Sequence, residues 1–127
     1  MDSVTPRRRA LLSVAADLVV VLVFVAIGRS IHGHGDGWRG LVSTTWPFAT
    51  GVALGWLVIA RQRRNGESMR DGAVVCLVTV VVGMVVRVVA GQGTAAAFIA
   101  VATGFFGASM IGWRLVLSEI RRHREKP

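Results

Sequence analysis

Seven acidic residues against fifteen basic ones, a single cysteine and no tyrosine leave this 127-residue chain short of groups on which many functions depend. Cys76 alone excludes an intrachain disulfide, and its place inside an apolar run reads as a packing thiol. No Ser-His-Asp arrangement, paired catalytic carboxylates, Walker loop or dinucleotide fingerprint occurs, so nothing supports an enzyme and no cofactor is expected. His32-Gly33-His34-Gly35-Asp36 offers three potential metal ligands, but glycine leaves the segment floppy and no fourth ligand follows at a recognisable spacing. It reads as an exposed loop with no metal.

What the chain does have is apolar length. It is 53% hydrophobic, and its apolar runs are too long for the core of one small soluble domain. Four windows can each cross about 30 Å of hydrocarbon at ~1.5 Å per residue: 10–28, 41–60, 73–90 and 94–117. Valine runs such as Val19–Val21 and Val80–Val82 would suit buried strands in water. In lipid a lone strand leaves its backbone groups unpaired, so the reading is all-α. Arg7–Arg9 ahead of an apolar run imitates a secretory signal, but the run is long, contains Asp17 and lacks an Ala-x-Ala-like site, so an uncleaved first span is expected.

The net charge of +8 lies in short clusters beside the spans. Arg7–Arg9, then Arg61, Arg63, Arg64 and Arg70, then Arg121, Arg122, Arg124 and Lys126 fall on one side, whereas Arg29 and Arg39 fall on the other. The positive-inside rule places both termini in the cytoplasm, and the charge is topological, so nucleic acid is not an expected partner. Membrane lipids, including anionic headgroups, are. The expected architecture is a single-domain, integral membrane four-helix up-down bundle spanning 1–127, with basic ends 1–9 and 118–127. Gly91-Gln92-Gly93 is short enough to make helices three and four antiparallel neighbours, and helix one closes the ring against helix four.

Small residues mark close helix approaches. Gly51 and Gly55 lie one turn apart on helix two, and Ala96, Ala100, Gly104, Ala108 and Gly112 recur every four residues on helix four. Each stripe serves either an internal seam or contact with another copy or a larger membrane partner.

Charged residues inside the spans carry the chemistry. Asp17 lies about 10 Å into helix one and Arg114 about 5 Å from the same boundary, so an inner ion pair between helices one and four is within reach. It reads as a structural clamp or as a gate or proton-linked pair. At the other boundary Arg87, Arg29, His32, Thr45, Trp46, Gln92 and Thr94 converge as a candidate outer polar site. Exposed N–H groups at the starts of helices two and four would add to its attraction for an anion, with Pro47 near the first turn of helix two. Capping of helix ends by Arg29 and Arg87 is the structural alternative. Trp38, Trp46, Trp56 and Trp113 read as interface anchors, with lining of the outer site the alternative for Trp46.

These residues form a set: Asp17; Ile27-Gly28-Arg29-Ser30-x-His32; Thr45-Trp46-Pro47-Phe48; Gly51-x-x-x-Gly55-Trp56; Gly83-Met84-x-x-Arg87; Gly91-Gln92-Gly93-Thr94; Phe98; and Gly112-Trp113-Arg114. In them the chain resembles the DUF3054 family of small prokaryotic membrane proteins, whose function is not established. The resemblance implies four spans and no catalytic roles; His34 and Asp36 fall outside it. Two functions remain open: a binding or transport protein for a small anion, polar solute or lipid headgroup, and a non-catalytic accessory or scaffold subunit.

Overall fold

The computed structural model describes residues 6–32, 37–92 and 96–125, with the side chains of residues 30–32, 38, 97 and 125 also left aside. His34, Asp36 and Thr94 lie outside the described residues, as does the side chain of His32. The described chain is four helices: α1 (Pro6–His32), α2 (Gly37–Arg61), α3 (Met69–Val89) and α4 (Ala96–Glu125). All four are long and apolar enough to cross a membrane.

Each helix neighbours the next in chain order, and α1 meets α4 to close the ring. The end where α1 begins and α4 finishes is termed inner, after the charge rule, and the opposite end outer. The helices overrun the apolar windows at their polar ends because backbone hydrogen bonding does not stop where lipid does. Pro6 opens α1, where a missing N–H costs nothing. Ser68 caps α3, its Oγ accepting from Asp71 N at 3.0 Å. Gly91 (φ +79°) closes α3: its N–H reaches Val88 O at 3.1 Å, and that of Gln92 reaches Arg87 O at 2.7 Å. This is the paired arrangement of a Schellman motif, which needs a left-handed residue at that position.

One face of each helix is buried and the other is left apolar and open. On α3, Val75, Thr79, Val80 and Gly83 are buried while Leu77, Val81, Val85 and Val88 are each more than half exposed. Such a surface suits lipid, since apolar exposure of this extent is unfavourable in water. Inside, Phe24, Phe48 and Phe106 interlock, with Phe106 lying 4.9 Å from Phe24 and 5.4 Å from Phe48 between ring centroids. A Cβ at Gly83 would stand 2.5 Å from the Phe48 ring, so the glycine makes room for it.

The two small-residue stripes have different fates. A Cβ on Gly51 would lie 2.7 Å from Thr79 Cα and one on Gly55 3.1 Å from Val75 Cα, so α2 and α3 touch backbone to backbone. On α4, by contrast, the buried residues are Ala102, Phe106, Met110 and Arg114. They are offset by two from Ala96, Ala100, Gly104 and Ala108, which is about 200° around a helix, and those four are exposed. Gly112 is half-buried, and among the described residues nothing lies within 4 Å of a Cβ added at Gly104 or Gly112. The internal seam is therefore that of α2, and the α4 stripe faces outward.

Candidate functional site

At the inner end the expected ion pair is present and fully buried, with Arg114 Nη2 2.7 Å from Asp17 Oδ2 and both side chains 0% exposed. Arg114 Nη1 donates to Asp17 Oδ1 at 3.0 Å, which makes the contact bidentate. The indole N–H groups of Trp56 (2.8 Å to Oδ2) and Trp113 (2.9 Å to Oδ1) complete four donors to one carboxylate. A carboxylate has about four acceptor sites, so Asp17 is saturated. Arg114 spends two of its three remaining donors on backbone, giving Nε to Gly66 O at 2.7 Å and Nη1 to Met110 O at 2.9 Å, and its guanidinium lies 4.3 Å from the Trp113 ring centre.

The Gly66 carbonyl comes from the connection between α2 and α3, and its own geometry is constrained. Gly66 has φ +81°, and a Cβ there would fall 2.0 Å from the Trp56 ring. Its N–H donates to Asp71 Oδ2 at 3.0 Å, while Arg64 pairs with the other oxygen of the same buried carboxylate. Gly72 lets Arg114 pass, a Cβ there lying 2.8 Å from Arg114 Cδ. The inner pair is thus held by α1, α2, the loop, α3 and α4 together. Trp56 and Trp113, expected as interface anchors, are instead hydrogen-bond donors to Asp17. An indole near a span boundary reads the same in either role; only the buried carboxylate within reach distinguishes them.

A second inner network was not anticipated. Glu67 accepts from Arg9 (Nη2 to Oε1, 2.7 Å) and from Arg121 (Nη1 to Oε1, 2.7 Å), linking α1 to α4 through a side chain belonging to neither. The hydrogen bonds from Arg121 hold the Glu67 carboxyl below its ordinary value of 4.5; burial opposes them and Arg9 reinforces them.

At the outer end Arg29 directly, and Arg87 through Gln92, are tied to one turn of α2. Arg29 Nη1 donates to Thr44 Oγ1 at 3.1 Å. Arg87 Nη1 donates to Gln92 Oε1 at 3.0 Å and its guanidinium lies 4.6 Å from the Phe98 ring centre. Gln92 Nε2 then donates to Ser43 O at 3.1 Å. That last bond follows from Pro47, which lies inside α2 and not near its first turn as expected from sequence, because residues from Gly37 onward are already helical. Proline has no N–H to offer the carbonyl four residues back, which is that of Ser43, and in lipid an orphaned carbonyl is costly. Gln92 fills the vacancy. The same shift places Thr44–Trp46 well inside α2, so its free N–H groups do not reach the cluster.

Hydrogen bonding is incomplete here. Arg29 Nη2 and Thr45 Oγ1 are buried with no partner among the described residues. Trp46 is 45% exposed on the outer surface, and its carbonyl accepts from Thr50 Oγ1 at 2.9 Å. Among the described residues no group of three His, Cys, Asp or Glu side chains could hold a metal.

No curated protein and no solved structure matches this chain. The family model described as "Protein of unknown function (DUF3054)" matches residues 14–117, which takes in the inner pair, the outer cluster, α2 and α3 whole and the larger part of α1 and α4. The chain belongs to the DUF3054 family.

Proposed function

We propose that the protein is a multi-pass binding protein of the prokaryotic cytoplasmic membrane, non-enzymatic, which takes a small anion or an anionic headgroup at its outer end. The observation that carries this reading is the buried Arg29 Nη2, which has no partner among the described residues, on a guanidinium that meets α2 at Thr44, with Arg87 linked through Gln92 to the adjacent Ser43 carbonyl. A buried donor without a partner costs about 1–3 kcal/mol, more for a charged group, and an oxyanion that accepts from it removes that cost. The inner pair supports a different role. With every acceptor position of Asp17 filled, it serves as a clamp and not as a gate or proton-linked site.

The test is a titration of purified protein in detergent with inorganic phosphate, sulfate and acetate, followed by tryptophan fluorescence, since Trp46 adjoins Thr45. A saturable change that disappears in Arg29→Gln and Arg87→Leu, both still folded, is the expected result. The absence of a saturable response to all three anions would overturn the reading.

The exposed stripe Ala96, Ala100, Gly104 and Ala108 favours a second reading, an accessory or scaffold subunit that docks a partner helix, or a second copy, against α4. Co-purification of a larger membrane protein in fixed stoichiometry, lost in Gly104→Leu, is its signature; a monodisperse monomer in native lipid would count against it.

A further inference from the structure

Beyond the outer site, the inner end holds a groove of about 500 Å³ between α1 and α4, the thinnest of the four helix seams. Its two walls differ in kind. Arg9, Arg121 and Arg124 stand on its polar rim with Glu67, three guanidinium groups to one carboxylate. Below them Leu12, Leu117 and Ile120 form an apolar floor, and Leu12 and Ile120 are open to the surroundings. Arg124 has no ion pair among the described residues, and Arg9 and Arg121 are held in place through their shared Glu67.

We propose that this groove is a site for an anionic phospholipid, with its phosphate on Arg9, Arg121 and Arg124 and the upper part of one acyl chain on Leu12, Leu117 and Ile120. The charge excess suits a phosphodiester, the apolar floor continues directly from the basic rim as a lipid does from its headgroup, and the volume lies in the range of small-molecule pockets. Arg9 and Arg121 each make a bidentate contact with Glu67, which fixes where they stand and limits the side-chain freedom lost when a phosphate joins them. Glu67 has a second effect. It is an anion in the same site, so it orders the arginines while opposing the phosphate.

These opposing effects give the site a signature that general attraction to a basic end would not show. Native mass spectrometry of the full chain in detergent, titrated with phosphatidylglycerol or phosphatidylcholine, counts the lipids retained. One phosphatidylglycerol held in preference to phosphatidylcholine is expected. Arg124→Gln should weaken it about fivefold, the effect of one interfacial cation. Arg7→Gln removes the same charge outside the groove and should leave retention unchanged, whereas Glu67→Gln should raise it. Equal retention of phosphatidylcholine, or equal losses in Arg7→Gln and Arg124→Gln, would overturn the proposal. Neither of those arginines is ion-paired among the described residues, so the test survives even if Glu67→Gln disturbs folding.

Discussion

The two ends of the bundle each bury arginine, but they use it differently. Arg114 at the inner end is fully enclosed and reaches Asp17, Met110 and Gly66, contacts that draw on α1, its own helix and the loop. Arg29 and Arg87 at the outer end are half-buried and donate to a threonine and a glutamine. A buried charge matched by a buried countercharge is a fastener; Arg29, whose buried Nη2 has no partner among the described residues, keeps a donor that an anion can answer.

The sharpest way to break this comparison is to remove one cation from each end. Arg114→Leu leaves Asp17 buried and uncompensated and should cost about 3–5 kcal/mol. Arg87→Leu gives up a charge-assisted hydrogen bond to an amide and should cost less, about 1.5–3 kcal/mol. Unfolding in a graded detergent series measures both, and equal losses would erase the distinction between the ends.

Glycine variants probe the same contrast with less violence. Gly72→Ala forces its methyl against Arg114 Cδ and the Met110 carbonyl, and overpacking of this kind should cost about 1–3 kcal/mol.

Acid tests the inner end without mutation. Glu67 has its carboxyl depressed chiefly by Arg121, so the stability it contributes is present above the ordinary value of 4.5 and lost as pH falls through the lower value of the folded protein. Thermal unfolding from pH 7 to pH 3 should show that loss in the wild type and not in Glu67→Gln; parallel profiles would remove Glu67 from the account.

The smallest effect belongs to Gly28→Ala, beside the outer cluster. No described residue stands within 4 Å of the added methyl, so the change should stabilise the helix by about 0.4–1 kcal/mol. A destabilised variant in the same unfolding series would show that the outer end is packed as tightly as the inner one.

Much of this was legible in the sequence because lipid restricts what a residue can be doing. Four apolar runs led to four helices, and Asp17 and Arg114, each isolated in an apolar run near one boundary, had few partners other than each other. The outer cluster was legible for the same reason as far as Arg29, Arg87 and Gln92 are concerned. The misses fall where the rule relaxes. The connection between α2 and α3 is charged and short, which describes a solvated loop as well as one folded inward, so nothing singled out Gly66 or Glu67. A four-residue repeat of small side chains says that a helix face is smooth without saying which way it turns, and on α4 it turns outward. Pro47 was misplaced because hydropathy locates the edge of the lipid and not the end of the helix.

The spacing of the inner pair also bears on how the protein is made. Asp17 and Arg114 are separated by ninety-seven positions, so a chain emerging from its N-terminus commits the carboxylate to the membrane long before its countercharge exists. Trp56, thirty-nine positions on, is the first donor to arrive, and the other three come with α4. Until then the carboxyl lacks three of the four donors it accepts from in the finished bundle. The last helix to be synthesised is therefore the one that completes the surroundings of a residue on the first.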